Sequence, residues 1–358
     1  MFLKRLNRFT VQCYSGNSKL NAYLPNPGRL WELLIPGRTL YLKESRGNFK
    51  FRVFATIRDN ELICLDTHYT NTIVKNILKE GLIEDLKNYK LREEEFKIET
   101  KRIDFVLESE KKLLPLEAKS CTLFNDEIAM FPDAVTERGK RHVELISKYK
   151  GAIIFVVYYS KARYFLPDFH TDPLFSKALS DNRSDILIKP ISVRLKEDGG
   201  FEFLRELEIP WHVYDREGGD RGSYIIYGTL RKSVTLKIGG LGEINFKKGY
   251  YLYVGSAMNS LSKRVARHLR KKKKKKWHLD YLISRFNEVK PIEIRSSERL
   301  ECALSRDFEN IYECIEGFGS SDCSCKGHLF FSNKNPFEDE KFIEILLKYR
   351  ISRLKKLI

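Results

Sequence analysis

Over roughly the first eighty residues, short apolar runs alternate with breaks at Gly, Asn and Pro. Phe9 to Cys13, Leu20 to Leu24, Thr39 to Leu42 and Phe51 to Ile57 read as strands, and a helix is expected from Thr72 to Glu80. This predicts a small, mostly β module. The pattern then changes. Arg102 to Leu107 and Leu113 to Lys119 predict a strand pair around a polar turn. A helix from about Ala134 to Lys150 follows, with Val143, Leu145 and Ile146 on its buried stripe. The apolar run Ala152 to Tyr158 is then a buried strand. Strands, helix and strand in that order predict an α/β unit.

The polar stretch 206–221 holds Pro210, Gly218, Gly219 and several charges, and reads as a linker. Strands restart at Ser223 to Tyr227, Val234 to Ile238 and Tyr250 to Tyr253. A basic helix is expected from Leu261 to about Lys275, with another element near His278. The end of the chain reads as a helix with Phe342, Ile343, Ile345 and Leu346 apolar, free to pack on the body or on a second subunit. The expected organisation is therefore 1–84, 85–205, a linker at 206–221, 222–335 and a helical tail at 336–358. No repeat of the first half shows in the second.

Charge narrows the partners. Lys and Arg number 65 against 48 Asp and Glu, a formal charge of +17, which attracts polyanions over long range. The longest strongly apolar run, Gly151 to Tyr159, is far short of the roughly 20 residues that span a bilayer. The N-terminus lacks an apolar stretch followed by a small-residue cleavage site. Seven cysteines do not make a disulfide framework. A cytoplasmic chain with no membrane partner is expected.

The stretch RIDFVLESEKKLLPLEAKS carries the first candidate chemistry. Residues two apart share a strand face, so Glu117 and Lys119 point the same way. Hairpin pairing would bring Asp104 beside Glu117. Two carboxylates on one face suit Mg²⁺ or Mn²⁺. A neighbouring lysine can position a water or stabilise a pentacovalent phosphate. An isolated acid and E-x-K usually form a solvated strand edge; the apolar neighbours and the α/β unit set this one apart.

The cluster resembles the PD-(D/E)XK nuclease core, with Asp104 followed by Glu117-Ala118-Lys119. Pro132-Asp133 is a decoy for that motif's name, because it follows the E-x-K. LNRF (Leu6 to Phe9), LPNPGRL (Leu24 to Leu30), RIDF, LEAKS and FPDAVTERGKRHVEL (Phe131 to Leu145) occur in order. Together they resemble the sugar fermentation stimulation proteins over roughly residues 1–205. The resemblance implies an OB-like β-barrel, a PD-(D/E)XK nuclease-like α/β domain and DNA binding; such barrels often hold nucleic acid. It also implies an acidic residue upstream of RIDF, which Glu93 fits best, with Glu94 and Glu95 adjacent. Arg138, Lys140, Arg141 and His142 open a helix, as a phosphate-holding group or as an exposed positive face. Arg29, in a turn with Asn26 and Gly28, is a phosphate contact or part of a structural turn. Arg5 and Arg8 are plain surface residues or DNA-backbone contacts.

A second constellation follows the linker. GSY (Gly222 to Tyr224), YVGS (Tyr253 to Ser256), RVARH, WHLDYL (Trp277 to Leu282) and Glu301-Cys302 occur in order. Arg264 and His268, four apart, share a helical face. Over 222–335 these resemble the GIY-YIG nuclease fold, nearest to a stand-alone group with a C-terminal SDC-x-C-x-x-H. Ser223 and Val254 stand where the family name has Ile, at positions that should face away from the site. The resemblance implies that Tyr224 and Tyr253 face each other and that one orients or deprotonates a water. A tyrosine needs a cationic neighbour or an acceptor for that, and His268 is the candidate acceptor. Arg264 would stabilise phosphate charge, and Glu301 would bind a divalent metal. Arg270 and Lys271, Lys272, Lys273 and Lys274, within a run reaching Lys276, read as a solvated charge run or, beside this site, a DNA-backbone contact. Cys323, Cys325 and His328 form an unusual C-x-C-x-x-H, read first as a loop with buried thiols and second as a zinc site.

The leading expectation is a metal-dependent DNA endonuclease with two candidate sites. The alternative is a non-catalytic DNA-binding regulator of transcription. RNA is not excluded as substrate, because no residue here reads a 2′-hydroxyl.

Overall fold

A computed structural model describes residues 1–110, 112–270 and 272–358. The chain divides into two compact units, Met1–Trp211 with Ile358, and His212–Leu357. Among the described residues, no helix is long and apolar enough to cross a membrane.

The first unit begins with β1 (Phe2–Asn7), β2 (Thr10–Ser15), β3 (Ser18–Tyr23), β4 (Leu40–Glu44), β5 (Phe51–Arg58) and β6 (Glu61–Cys64). They form one sheet in the order β1-β2-β3-β5-β4, with β6 on β5. Helix α1 (Thr67–Lys79) starts earlier than the expected Thr72, because the Asp66 carboxylate caps it by accepting from the His68 N–H. Its buried residues Thr70, Ile73, Val74, Ile77 and Leu78 follow helical spacing.

A second sheet follows: β7 (Lys90–Ile98), β8 (Lys101–Ser109), β9 (Lys112–Cys121), β12 (Ala152–Val157), β14 (Leu187–Leu195) and β15 (Phe201–Glu206). The order is β15-β14-β12-β9-β8-β7, parallel at its centre and antiparallel at both edges. Short strands β10 (Leu123–Asn125), β11 (Ile128–Phe131) and β13 (Tyr164–Pro167) make a third sheet. Helices α2 (Glu137–Lys148) and α3 (Pro173–Asp181) pack together. Helix α1 packs on β7, β9 and β12, so it goes with the second sheet, and the boundary expected at residue 84 falls before the helix. A single apolar core runs from Val11 and Ala55 to Phe155 and Val193.

The second unit contains β16 (Gly222–Leu230), β17 (Val234–Lys237), β18 (Glu243–Phe246), β19 (Gly249–Ala257), β20 (Glu288–Arg295), β21 (Glu313–Ile315) and β22 (Leu329–Ser332). Five of these form an antiparallel sheet, β20-β16-β19-β22-β21, and β17–β18 is a hairpin. Helix α4 (Trp211–Glu217) occupies much of the stretch expected to be a linker. Part of its polarity serves internal bonds, while His212, Asp215 and Arg216 stay exposed. Glu217 is buried, pairs with Arg353 at 2.6 Å and accepts from Ser297. Helices α5 (Leu261–Leu269), α6 (His278–Leu282), α7 (Glu301–Glu309) and α8 (Glu340–Arg350) complete the unit. Helix α5 stops at Leu269, short of the expected Lys275; Arg270 is already extended. Like charges four apart on a helix repel, so the lysine run disfavours continuation. The tail packs on its own unit, with Phe342 stacked on Phe308 at 5.8 Å.

Candidate functional site

In the first unit, β8 and β9 pair with Phe105 opposite Leu116. One step further, the same register sets Asp104 level with Glu117. Asp104 accepts from the Ala118 N–H at 2.9 Å and from Asn71 on α1 at 3.3 Å. Glu117 is buried. Its Oε1 takes the His142 Nδ1 at 2.6 Å and the Lys119 ammonium. Arg138 Nε donates to His142 Nε2 at 3.4 Å, so the imidazole proton sits on Nδ1, facing Glu117. Glu117 Oε2 is buried and has no hydrogen-bond partner.

Burial, then the charge of Glu117, raises the Asp104 pKa. Burial also works against Glu117, but Lys119 and His142 outweigh it and pull its pKa down to about 2. The two carboxyls are thus driven apart in acidity, a pattern shared by acid–base pairs at reactive sites. They open on a cleft of about 390 Å³, lined also by Lys119, Arg8, Arg138 and Asp133. Asp133 accepts from the Leu30 N–H at 3.0 Å. A Cβ at Gly28 would come within 2.5 Å of its Oδ2, so only glycine fits there.

Several expected residues lie elsewhere. Glu93 is exposed on edge strand β7, opposite Val106, and lines no part of the cleft. Glu94 pairs with Lys75, and Glu95 with Arg102 at 3.2 Å. Arg5 is no free backbone contact: its guanidinium donates to the carbonyls of Gly28, Arg29, Arg8 and Asn26, and holds the turn. Arg29 sits over Trp31 at 5.0 Å and reaches Thr171. Lys140 and Arg141 line a separate pocket with Leu174. Asn71 and Asp133 carry no site role in the sequence reading; His142, read there with Arg138 as part of a phosphate-holding group, bonds Glu117 instead. The His142 signal was its position four residues after Arg138 on one helix; Asn71 offers none.

The second unit holds a larger cleft of about 810 Å³. Tyr224 on β16 and Tyr253 on β19 line it with ring centres 6.5 Å apart. Tyr224 lies 2.9 Å from His268 Nε2. Burial, then Lys273, lowers the His268 pKa to about 4, which favours the neutral ring; Nδ1 lies 3.7 Å from the Asp280 carboxylate, which favours the proton there and leaves Nε2 to accept from Tyr224. Burial raises both tyrosines, against the pull of Arg264. Arg264 bonds the Ser256 carbonyl at 3.4 Å and lies over Trp277 at 4.7 Å. Glu301, first residue of α7, takes the Ser256 hydroxyl on Oε2. Its pKa is lowered: burial opposes this, and His328 and Ser256 outweigh burial. Ser223 turns away, accepting from the Leu300 N–H at 3.1 Å, and Val254 is fully buried.

Asp280 went unassigned in the sequence, yet it organises this wall. It is buried and bonds Arg267 at 3.0 Å, Lys273 at 3.0 Å and the N–H groups of Lys276 and Trp277. Lys273 is therefore an internal cation, not a free DNA contact; its side chain is 9% exposed. Arg270, Lys272 and Lys274 are exposed. Lys271 lies outside the described residues.

Behind Glu301, the ligand atoms of Cys302, Cys323, Cys325 and His328 all lie within 4.8 Å of one another, a group that can hold a metal. The thiols are half-exposed, contrary to the expected buried loop. Cys302 joins from α7, and Cys314 stays out.

Residues 3–65 match the model of the SfsA N-terminal OB domain, and residues 68–199 that of the sugar fermentation stimulation protein RE domain. Residues 223–350 match a domain of unknown function, DUF123. A sugar fermentation stimulation protein homolog of Methanothermobacter thermautotrophicus is 38% identical over 186 residues, covering 50% of this chain and 78% of the relative. The homolog of Carboxydothermus hydrogenoformans is 32% identical, covering 58% and 95%. The structure of Pyrococcus furiosus SfsA in complex with Ca²⁺ superposes with a TM-score of 0.55 at 25% identity, covering 58% of this chain and 93% of that one.

Proposed function

Because the chain belongs, through residues 3–199, to the family of sugar fermentation stimulation proteins, we propose that it binds DNA and cleaves it as a divalent-metal-dependent endonuclease with two phosphodiesterase sites. The reading takes residues 68–199 as a PD-(D/E)XK-type domain and residues 223–350 as a GIY-YIG-type domain. The observation that carries it is Glu117 Oε2, a buried carboxylate oxygen without a partner, on a residue that lines one cleft with Asp104 and Lys119. A buried carboxylate oxygen left without a donor is costly unless a cation completes it, even though Lys119 and His142 already meet the other oxygen. The Ca²⁺ complex of the Pyrococcus relative supports a divalent cation in this fold.

In the first site, Asp104 and Glu117 would hold Mg²⁺ or Mn²⁺, and Lys119 would meet the charge that develops on the phosphate. When bound, the metal lowers the pKa of water and balances charge on the leaving oxygen. His142 holds Glu117 in place through Nδ1. Arg8 and Arg138 at the rim supply backbone contacts.

In the second site, Tyr224 gives its hydroxyl proton to His268 Nε2 in a hydrogen bond, which leaves its oxygen lone pairs directed at a water in the cleft. Arg264 offers its cation to the phosphate, and Glu301 would hold the metal. The exposed Arg270, Lys272 and Lys274 add sequence-independent attraction to the backbone.

Labelled single-stranded, duplex, flap and branched DNA, incubated with Mg²⁺ or Mn²⁺, tests the reading. Wild type is compared with Asp104→Ala/Glu117→Ala and with Tyr253→Phe/Arg264→Ala. Loss in one pair assigns cleavage to that unit; loss only when both pairs are combined means two working sites. No cleavage of any substrate by wild type overturns the endonuclease. One observation favours binding without cleavage at the first site: both Asp104 oxygens already take donors, and the third acid of the cleft, Asp133, already accepts from the Leu30 N–H.

A further inference from the structure

We propose that Cys302, Cys323, Cys325 and His328 form a zinc centre, and that Glu301 is its outer carboxylate, tying the centre to the wall of the second cleft. Three thiolates and one imidazole are the donor set of a closed tetrahedral zinc site. Their ligand atoms lie within 4.8 Å of one another, and His328 Nε2 is 3.4 Å from Cys323 Sγ. Tetrahedral zinc holds its ligands at about these separations, given bonds of about 2.0–2.3 Å.

The orientation of His328 carries the second half. Nε2 faces the thiols. Nδ1 faces Glu301 Oε1 at 3.0 Å, too bent for a good hydrogen bond, and has no other partner. A histidine that ligates through one nitrogen commonly donates the other N–H to a carboxylate, which fixes its tautomer and raises its basicity. Glu301 sits at that point while its Oε2 takes the Ser256 hydroxyl in the cleft. One side chain thus touches both places.

The centre would also pin a segment that needs it. Between β21 and β22 no helix or strand forms among residues 316–328. Yet this segment supplies Gly319, Ser321 and Asp322 to the cleft. Phe318 packs on Tyr253 at 6.2 Å, and the Gly319 N–H donates to His278 Nδ1 at 3.1 Å. His328 itself bonds the Val254 N–H through its carbonyl at 2.8 Å, next to Tyr253. Metal at its base would set the wall against which the tyrosines work; that consequence rests on the nuclease reading, and zinc binding does not.

The test is made on the purified full chain without DNA, so its failure is distinct from failure of the nuclease reading. Elemental analysis should find about one zinc per chain, and Co²⁺ replacement should give the intense visible bands of a tetrahedral thiolate site. Cys323→Ser/Cys325→Ser should lose the metal, and Cys314→Ser should keep it. Glu301→Gln should weaken zinc affinity about 10-fold or more in chelator competition. No zinc and no tetrahedral cobalt spectrum in wild type, or iron in its place, overturns the centre. Zinc held equally well by Glu301→Gln overturns the carboxylate link. If the double serine variant does not fold, the wild-type metal content and Glu301→Gln still decide.

Discussion

The Tyr224 hydroxyl and His268 Nε2 meet at 2.9 Å, both buried, in the second unit. In the proposed reading the pair works as one device: the histidine accepts the hydrogen bond and the tyrosine presents its oxygen. Tyr224→Phe and His268→Ala should each lower kcat for DNA cleavage by about 100-fold or more, within the range for lost general-base assistance. The double variant should be no worse than either alone. Independent, multiplying losses in single-turnover assays would count against a coupled pair.

The neutral state of His268 also makes the second unit sensitive to acid. Its folded pKa is lowered to about 4, while the unfolded chain titrates near 6.5. Between these values the unfolded state binds the proton and the folded state does not, so stability rises with pH. The contribution is complete above about pH 6.5 and is lost as pH falls toward 4. The shift corresponds to about 3 kcal/mol. Hydrogen exchange of β16 and β19 should accelerate over this window in wild type, with a shallower pH dependence in His268→Gln. Identical slopes would remove His268 as the cause.

Asp104 feels Glu117. Burial raises its pKa first, and the neighbouring anion adds to that. In Glu117→Gln the second contribution vanishes, so the Asp104 carboxyl should titrate at lower pH in carbon-detected NMR. The same variant should lose most divalent-cation binding in the first unit by calorimetry. An unmoved Asp104 titration would mean the two carboxyls do not share a site.

Lys273 and Lys274 are neighbours in sequence and opposites in role. Lys273 pairs with buried Asp280 at 3.0 Å, whereas Lys274 is exposed. Removing one partner of a buried pair destabilises by about 3–5 kcal/mol at most, so Lys273→Ala should unfold the second unit more readily. Lys274→Ala should leave stability unchanged and reduce the slope of log affinity against log salt by about 0.7–0.9. Reversed outcomes in urea melts and DNA titrations would reject the assignment.

Gly255 is held to glycine by its neighbour. A Cβ there would come within 2.5 Å of the Tyr224 Cζ, and that ring is buried and cannot swing away. Gly255→Ala should cost about 1–3 kcal/mol in overpacking and displace the tyrosine. A crystal structure of the variant with Tyr224 unmoved would contradict this.

Much of the site was legible because its signals are local. Strand alternation put Glu117 and Lys119 on one face, and helical spacing put Arg264 and His268 on another. A turn of five or six residues fixes such relations whatever the fold around it. The ordered motifs added the family, matched over residues 3–199, and the placement of Tyr224 and Tyr253 on adjacent strands.

What the sequence by itself determined is therefore which side chains carry chemistry and which neighbours share their face. Tertiary structure decided the rest, since contacts between distant segments depend on register and packing that no local period encodes. It brought Asn71 and His142 to the carboxylates and Cys302 to the thiols. It left Glu93 on an exposed edge and turned Arg5 and Lys273 inward. Charge is written in the sequence, but whether a charge meets solvent or a buried partner is settled only when the chain closes around it.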